Sequence, residues 1–178
     1  MKTLVGLLVI VLALPFMLVG EPISKKAFGV RLAEIALART KLDITYVLLD
    51  YQSGDAPTDR GVYSDVVVRS YRELDIDLQR LVHVDTKGHF SKYRKKWGLK
   101  CPDKNIDHRR VPNLQTFFTR FGKSLPKSTN PKDYAIGDIV AWDLNNKGLT
   151  HIGIVVKPPN KPGEACLSAS PPPRRSSR

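Results

Sequence analysis

Residues 61–77 read GVYSDVVVRSYRELDID: a glycine closing a loop, then a run that turns helical. Val67, Tyr71, Leu74 and Leu78 recur at helical spacing, with Arg69, Arg72 and Glu73 off the stripe. Asp59 is a candidate cap for this helix, and Asp65 places a negative charge in its first turn, where the helix dipole favours one. A helix start after a tight turn is a place where a nucleophile is activated, and this one carries Tyr63.

Upstream, YQSGDAPTDRG (Tyr51–Gly61) has the composition of a loop. Before it, Phe28, Leu32, Ile35, Ala36 and Leu42 fall at near-helical spacing among strong helix formers, predicting a helix over Lys25–Lys41. Downstream, VPNLQTFFTRFG (Val111–Gly122) opens near a proline and closes on a glycine, the usual asymmetry of a short helix. The period then changes. IGDIVAWDL (Ile136–Leu144) and THIGIVV (Thr150–Val156), with NNKG between them, predict an antiparallel hairpin. Helices first and strands afterwards make an α+β domain rather than an alternating βαβ one. At 178 residues there is room for one such domain, over 25–156, with appendages.

Both ends differ in composition from the middle. Residues 1–20 hold Lys2 and an apolar run from Leu4 to Val19, the pattern of a secretory signal peptide, with an N-terminal membrane anchor as the other reading. Export to the periplasm or cell envelope is the expectation. Residues 157–178, rich in Pro, Ser and Arg, have no apolar period and are expected to be disordered. The formal net charge is +12, and five Lys or Arg against one Glu lie in that tail. Much of the remaining excess gathers in SKYRKKWGLKCPDKNIDHRR, residues 91–110. An exported basic surface meets peptidoglycan or another anionic envelope polymer before it meets nucleic acid; a merely solvated charged face is the plain alternative. Cys101 and Cys166 have unrelated surroundings and predict neither a disulfide nor a zinc site. His83, Asp85 and His89 set no ligand geometry, and no cofactor motif is present.

A helix-borne residue at 63 and a strand-borne His151 supply the frame of a papain-type cysteine hydrolase in the right chain order. Such an enzyme needs a thiolate at a helix N-terminus, an imidazole within reach and a third group orienting the imidazole. The helix and the GDIVAWDL…HIGIV hairpin resemble those of the NlpC-type cell-wall cysteine peptidases. More closely, DRGVYSDVVVRSYRELDIDLQRLVHVD, KKWGLKCPDKNIDHRRVPNL and GDIVAWDL…HIGIV resemble an exported bacterial family, domain of unknown function 1287, related to that clan. The likeness runs from about Ile35 to Val156.

That resemblance implies a papain-like fold, with N-terminal helices followed by an antiparallel sheet, and hydrolysis of peptide or amide bonds in the cell wall. The family's motif resembles D-R-G-V-C-[ST]-D-V-[VI], so Tyr63 stands at the position of the nucleophile and His151 at that of the general base. The orienting residue belongs on a strand beyond Val156, where this chain has its tail; the domain is then incomplete at its C-terminus, and a reading-frame change after Val156 would account for it. A phenol with a pKa near 10 is a poor substitute for a thiol. Ser64 is turned about 100° around the helix from Tyr63, and Cys101 has no helix start of its own. Asp59, Arg60, Asp65, Asp138 and Trp142 are the candidate cleft-supporting residues, Asp59 and Arg60 most simply as loop-fixing groups. On spacing alone His151 reads first as a partly buried histidine, and Trp97 and Trp142 as core or cleft-wall residues. The expected function is that of a degenerate hydrolase without activity; the alternative is a non-catalytic binding module of the cell envelope.

Overall fold

The computed structural model describes residues 24–42, 44–47, 54–93, 99–143 and 149–157. The expected export segment, Trp97, the NNKG turn, Cys166 and the tail beyond Lys157 lie outside them. The described chain is mixed α+β, as its period changes predict.

Helix α1 spans Lys25–Arg39. Ser24 caps it, its Oγ accepting from the Ala27 N–H at 3.2 Å. It ends at Arg39, two residues before Lys41, with Thr40 as its C-cap, so Leu42 does not continue the stripe and is 56% exposed. Leu32, Ala33, Ile35 and Ala36 face inward.

The stripe running from Val67 to Leu78 belongs to two helices rather than one: α2, Tyr63–Arg72, and α3, Leu78–Gly88. The break is a turn with Asp75 at φ +60°, a left-handed conformation that Asp tolerates better than most residues. The Tyr71 carbonyl accepts from both Leu74 N–H and Ile76 N–H, and Asp77 then caps α3 through the Arg80 N–H at 3.2 Å. Helix α4, Val111–Phe121, carries Pro112 in its first turn and stops at Gly122, as expected.

Strands β3 (Ile139–Asp143) and β4 (Thr150–Ile154) form the antiparallel hairpin, Ile139 opposite Ile154 and Trp142 opposite His151. One pairing was not expected. Thr45–Tyr46 (β1) runs parallel to Arg60–Gly61 (β2), so the end of the presumed loop is pinned as a two-residue ladder. Helix α2 lies at the centre, in contact with α1, α3 and β4. Leu32, Val67, Leu78, Val82, Leu114 and Ile152 belong to one buried apolar cluster. None of the described helices is long and apolar enough to cross a membrane.

The hairpin meets α1 through a glycine pair. Gly137 has φ +89°, and a Cβ there would lie 2.4 Å from both Cα and the carbonyl oxygen of Gly29. Backbone on backbone leaves no flexible atom to yield. Gly137→Ala should therefore cost about 2–3 kcal/mol, the sum of overpacking and a disfavoured φ. Urea unfolding checks it; a midpoint equal to that of the parent protein would refute the close approach.

Candidate functional site

Tyr63 opens α2, and His151 is the second residue of β4. Packing of α2 against β4 brings their rings together, with centroids 3.9 Å apart and planes inclined at 47°. Trp142, the cross-strand partner of His151, has its ring centroid 4.6 Å from the imidazole. His151 is only 3% exposed, and its Nδ1 has no hydrogen-bond partner among the described residues. Burial pushes the imidazole pKa below its ordinary value, which keeps the ring neutral at pH 7. The Tyr63 phenol is pushed up, first by burial and then by Tyr46, with Arg109 opposing. A protonated phenol is a weak nucleophile, and a neutral imidazole beside it is free to accept a proton.

The turn into α2 is built around Asp65. Its Oδ2 accepts the Val62 N–H at 2.7 Å, satisfying one of the otherwise unpaired donors of the helix start. Arg109 grips the same carboxylate with two bonds, Nε to Oδ1 at 2.9 Å and Nη2 to Oδ2 at 3.0 Å, both side chains being almost fully buried. Gly61 makes room for this arrangement, since a Cβ there would lie 2.7 Å from Asp65 Oδ2. Arg69, from the next turn of α2, donates to the carbonyls of Ala56, Pro57 and Arg60 and so fixes the incoming loop.

The other candidates separate by position. Asp59 does not cap α2: the N-cap residue is Val62, and the Asp59 carboxylate is exposed and paired with Arg60 at 3.0 Å. Its pKa is lowered chiefly by that Arg60 bond. The Asp59–Arg60 side-chain pair lies at the surface, while the two backbone carbonyls take part in the loop, that of Asp59 accepting from the Thr45 N–H and that of Arg60 from Arg69. Asp138 accepts the Ala135 N–H at 2.8 Å while its carbonyl accepts from Val155, so it shapes the entry to β3. Ser64 is fully buried, and its Oγ has no partner among the described residues. Cys101 is a free, exposed thiol. Asp85 pairs with His89 at 2.9 Å while His83 turns to Asp107 at 3.6 Å, and no three ligating side chains gather to hold a metal ion among the described residues.

The residue that sequence reasoning missed is Arg109. Within residues 91–110 it reads as one more surface cation, yet it is buried and anchors Asp65. Its neighbour His108 is 1% exposed, with its pKa lowered mainly by burial. A charge run shows its sign but not which member turns inward; only a carboxylate in need of a buried partner could have marked Arg109.

These two histidines make stability depend on pH. Unfolded, both titrate near 6.5, whereas folded they resist protonation. Around and below that pH the unfolded chain binds more protons, so stability should fall as pH drops from about 7 to about 5.5 and should be insensitive to these groups well above 7. His151→Gln should flatten the slope measured by urea unfolding at several pH values; an unchanged slope would mean that His151 titrates normally.

Comparison with known proteins places the chain. The uncharacterized protein YijF of Escherichia coli (strain K12) is 58% identical over 113 residues, 64% of this chain and 55% of that protein. The chain thus spans about half the length of the curated relative it matches. No solved structure matches. Residues 32–167 match the family described as domain of unknown function DUF1287, and the chain belongs to that family.

Proposed function

We propose that this protein is a non-hydrolysing member of an exported, papain-like lineage whose active relatives cleave peptide or amide bonds in the cell wall. The observation that carries the reading is the contact between Tyr63 and His151, ring against ring at 3.9 Å. The two segments that resemble the nucleophile helix and base hairpin of NlpC-type peptidases meet in space, and they meet at these two side chains. In an active relative a cysteine at position 63 would attack the carbonyl and the imidazole would carry the proton to the leaving amine. Here a bulky phenol, held protonated, occupies the thiol's place.

The purified protein should leave muropeptides uncut, and Tyr63→Cys alone should not restore cleavage, because no orienting partner for His151 is present among the described residues. Chromatography of muropeptide digests tests both; cleavage by the unmodified chain would overturn the reading.

A second reading, a binding module of the cell envelope, is favoured by the net charge of +12. Attraction to an anionic wall polymer through charge alone fades with screening. Retention on isolated peptidoglycan at low salt and release at high salt is the expected result, and salt-resistant retention would point to the cleft instead.

A further inference from the structure

Helices α3 and α4 leave a groove of about 720 Å³ between them, lined by Ile76, Leu81, Val84, Phe117, Phe118 and Phe121. Its lips are open to solvent. Val84 is 58% exposed and Phe121 64%, and Leu125, just past α4, is 53% exposed. An apolar surface of this kind on a soluble face marks a contact site.

Charge around the groove is one-sided. Arg80, Val84 and Lys87 fall at i, i+4 and i+7 on one exposed face of α3, and Lys123 and Lys127 follow α4, all of these cations being exposed. The carboxylate lining the groove, Asp85, is buried and held by Arg120 at 2.7 Å and by Tyr93 at 2.6 Å. The Arg120 guanidinium in turn lies 5.7 Å over the Phe121 ring. The exposed acids nearest in the chain, Asp75 and the α3 cap Asp77, precede α3, at the end away from Lys87.

The groove also adjoins the first turn of α1. Phe28, one turn into α1, has its ring 5.9 Å from Tyr71, which lines the groove and stands 5.7 Å from Phe118.

We propose that the α3–α4 face is a docking surface for an anionic phospholipid bilayer. Val84, Phe121 and Leu125 enter the boundary between headgroups and acyl chains, and Lys87, Lys123 and Lys127 meet the lipid phosphates. Apolar tips set beside a cluster of long cations are the pattern that binds such an interface, the cations spanning from apolar stem to charged phosphate. This surface is separate from the Tyr63–His151 site and stands whether or not that site is catalytic.

The test uses the full chain with Cys101→Ser and Cys166→Ser, and an environment-sensitive fluorophore attached through Val84→Cys or, for comparison, Leu149→Cys. Leu149, 54% exposed, precedes β4 on the hairpin. With vesicles of phosphatidylcholine and phosphatidylglycerol, emission at position 84 should rise about threefold and be quenched by acyl-chain spin labels, while position 149 stays as in buffer. Pure phosphatidylcholine should give little response. Lys87→Glu with Lys123→Glu, both at exposed positions, should weaken vesicle binding about thirtyfold. Leu125→Cys provides the same readout if a label at 84 disturbs α3.

Equal responses at 84 and 149, or none at either, would overturn the proposal. So would an emission rise at 84 without vesicles. If that rise grew with protein concentration, a second copy covers the groove; if not, another part of this chain does.

Discussion

Arg109→Leu should destabilise the fold by about 3–5 kcal/mol, the range for removing one partner of a buried ion pair. The cost does not measure how favourable the pair is. It arises because Asp65, with a side chain only 6% exposed, would be left as an uncompensated buried charge. The Val62 N–H would still donate to it, which softens the loss without neutralising it. Since small domains are stable by only about 5–15 kcal/mol in total, part of the Arg109→Leu population could be unfolded at 25 °C. Arg109→Lys provides the milder measurement. It keeps the charge but not the two-pronged grip, and should cost about 1–2 kcal/mol. Adding Asp65→Asn to Arg109→Leu removes the stranded charge and should recover more than 1 kcal/mol, a coupling that independent sites would not show. Urea unfolding of the four proteins decides the matter. An Arg109→Leu variant within 1 kcal/mol of the parent would mean that Asp65 finds water or another cation, and that α2 does not depend on this pair.

That pair also shows where the sequence stopped being legible. Helix α4 could be read because Pro112 and Gly122 punctuate it locally, and the hairpin because its period is two over both strands. The division between α2 and α3 was hidden by its own packing. Val67 and Leu78 join the same apolar cluster from either side of the turn, with Tyr71 and Leu74 packed against it, so the stripe keeps its spacing through the break. Asp75 and Asp77, two turn-forming residues around Ile76, were the local signal, and an uninterrupted apolar count overrode them. The β1–β2 ladder is only two residues long, too short for any period to register. At the site, resemblance to a family brought Tyr63 and His151 together on paper and packing brings them together in space. Asp59 was favoured as a cap because its position before the helix is right, yet the acceptor that binds the Val62 N–H is Asp65, from inside the first turn. Sequence spacing allows both, and only the direction of the Arg60 and Arg109 side chains separates them.

Restoring a thiol at the start of α2 tests how much of the frame survives beneath the tyrosine. In Tyr63→Cys, with Cys101→Ser and Cys166→Ser to leave a single thiol, at least half of that thiol should be thiolate at pH 6.5, where an ordinary cysteine is about 1% ionised. Two effects favour the charge. The thiol would sit at the N-terminal turn of a helix, where the dipole stabilises an anion, and beside His151, whose Nδ1 is unpartnered among the described residues and able to take the proton. Burial opposes it twice, raising a thiol's pKa as it already raises that of the phenol, and lowering that of His151. Exchanging a tyrosyl side chain for a much smaller one removes the ring that lies against His151 and opens space for water, so both effects of burial should shrink. Thiolate absorbance followed against pH gives the fraction directly, and adding His151→Gln should return the titration towards that of a free cysteine. A titration at or above the ordinary thiol value, unchanged by His151→Gln, would mean that α2 and β4 touch without forming the electrostatic frame of a cysteine hydrolase. A low-pH titration together with uncut muropeptides would separate the two losses, nucleophile and orienting partner. The tyrosine would then be a plug in an otherwise polarising site, and the missing step would be the alignment of His151.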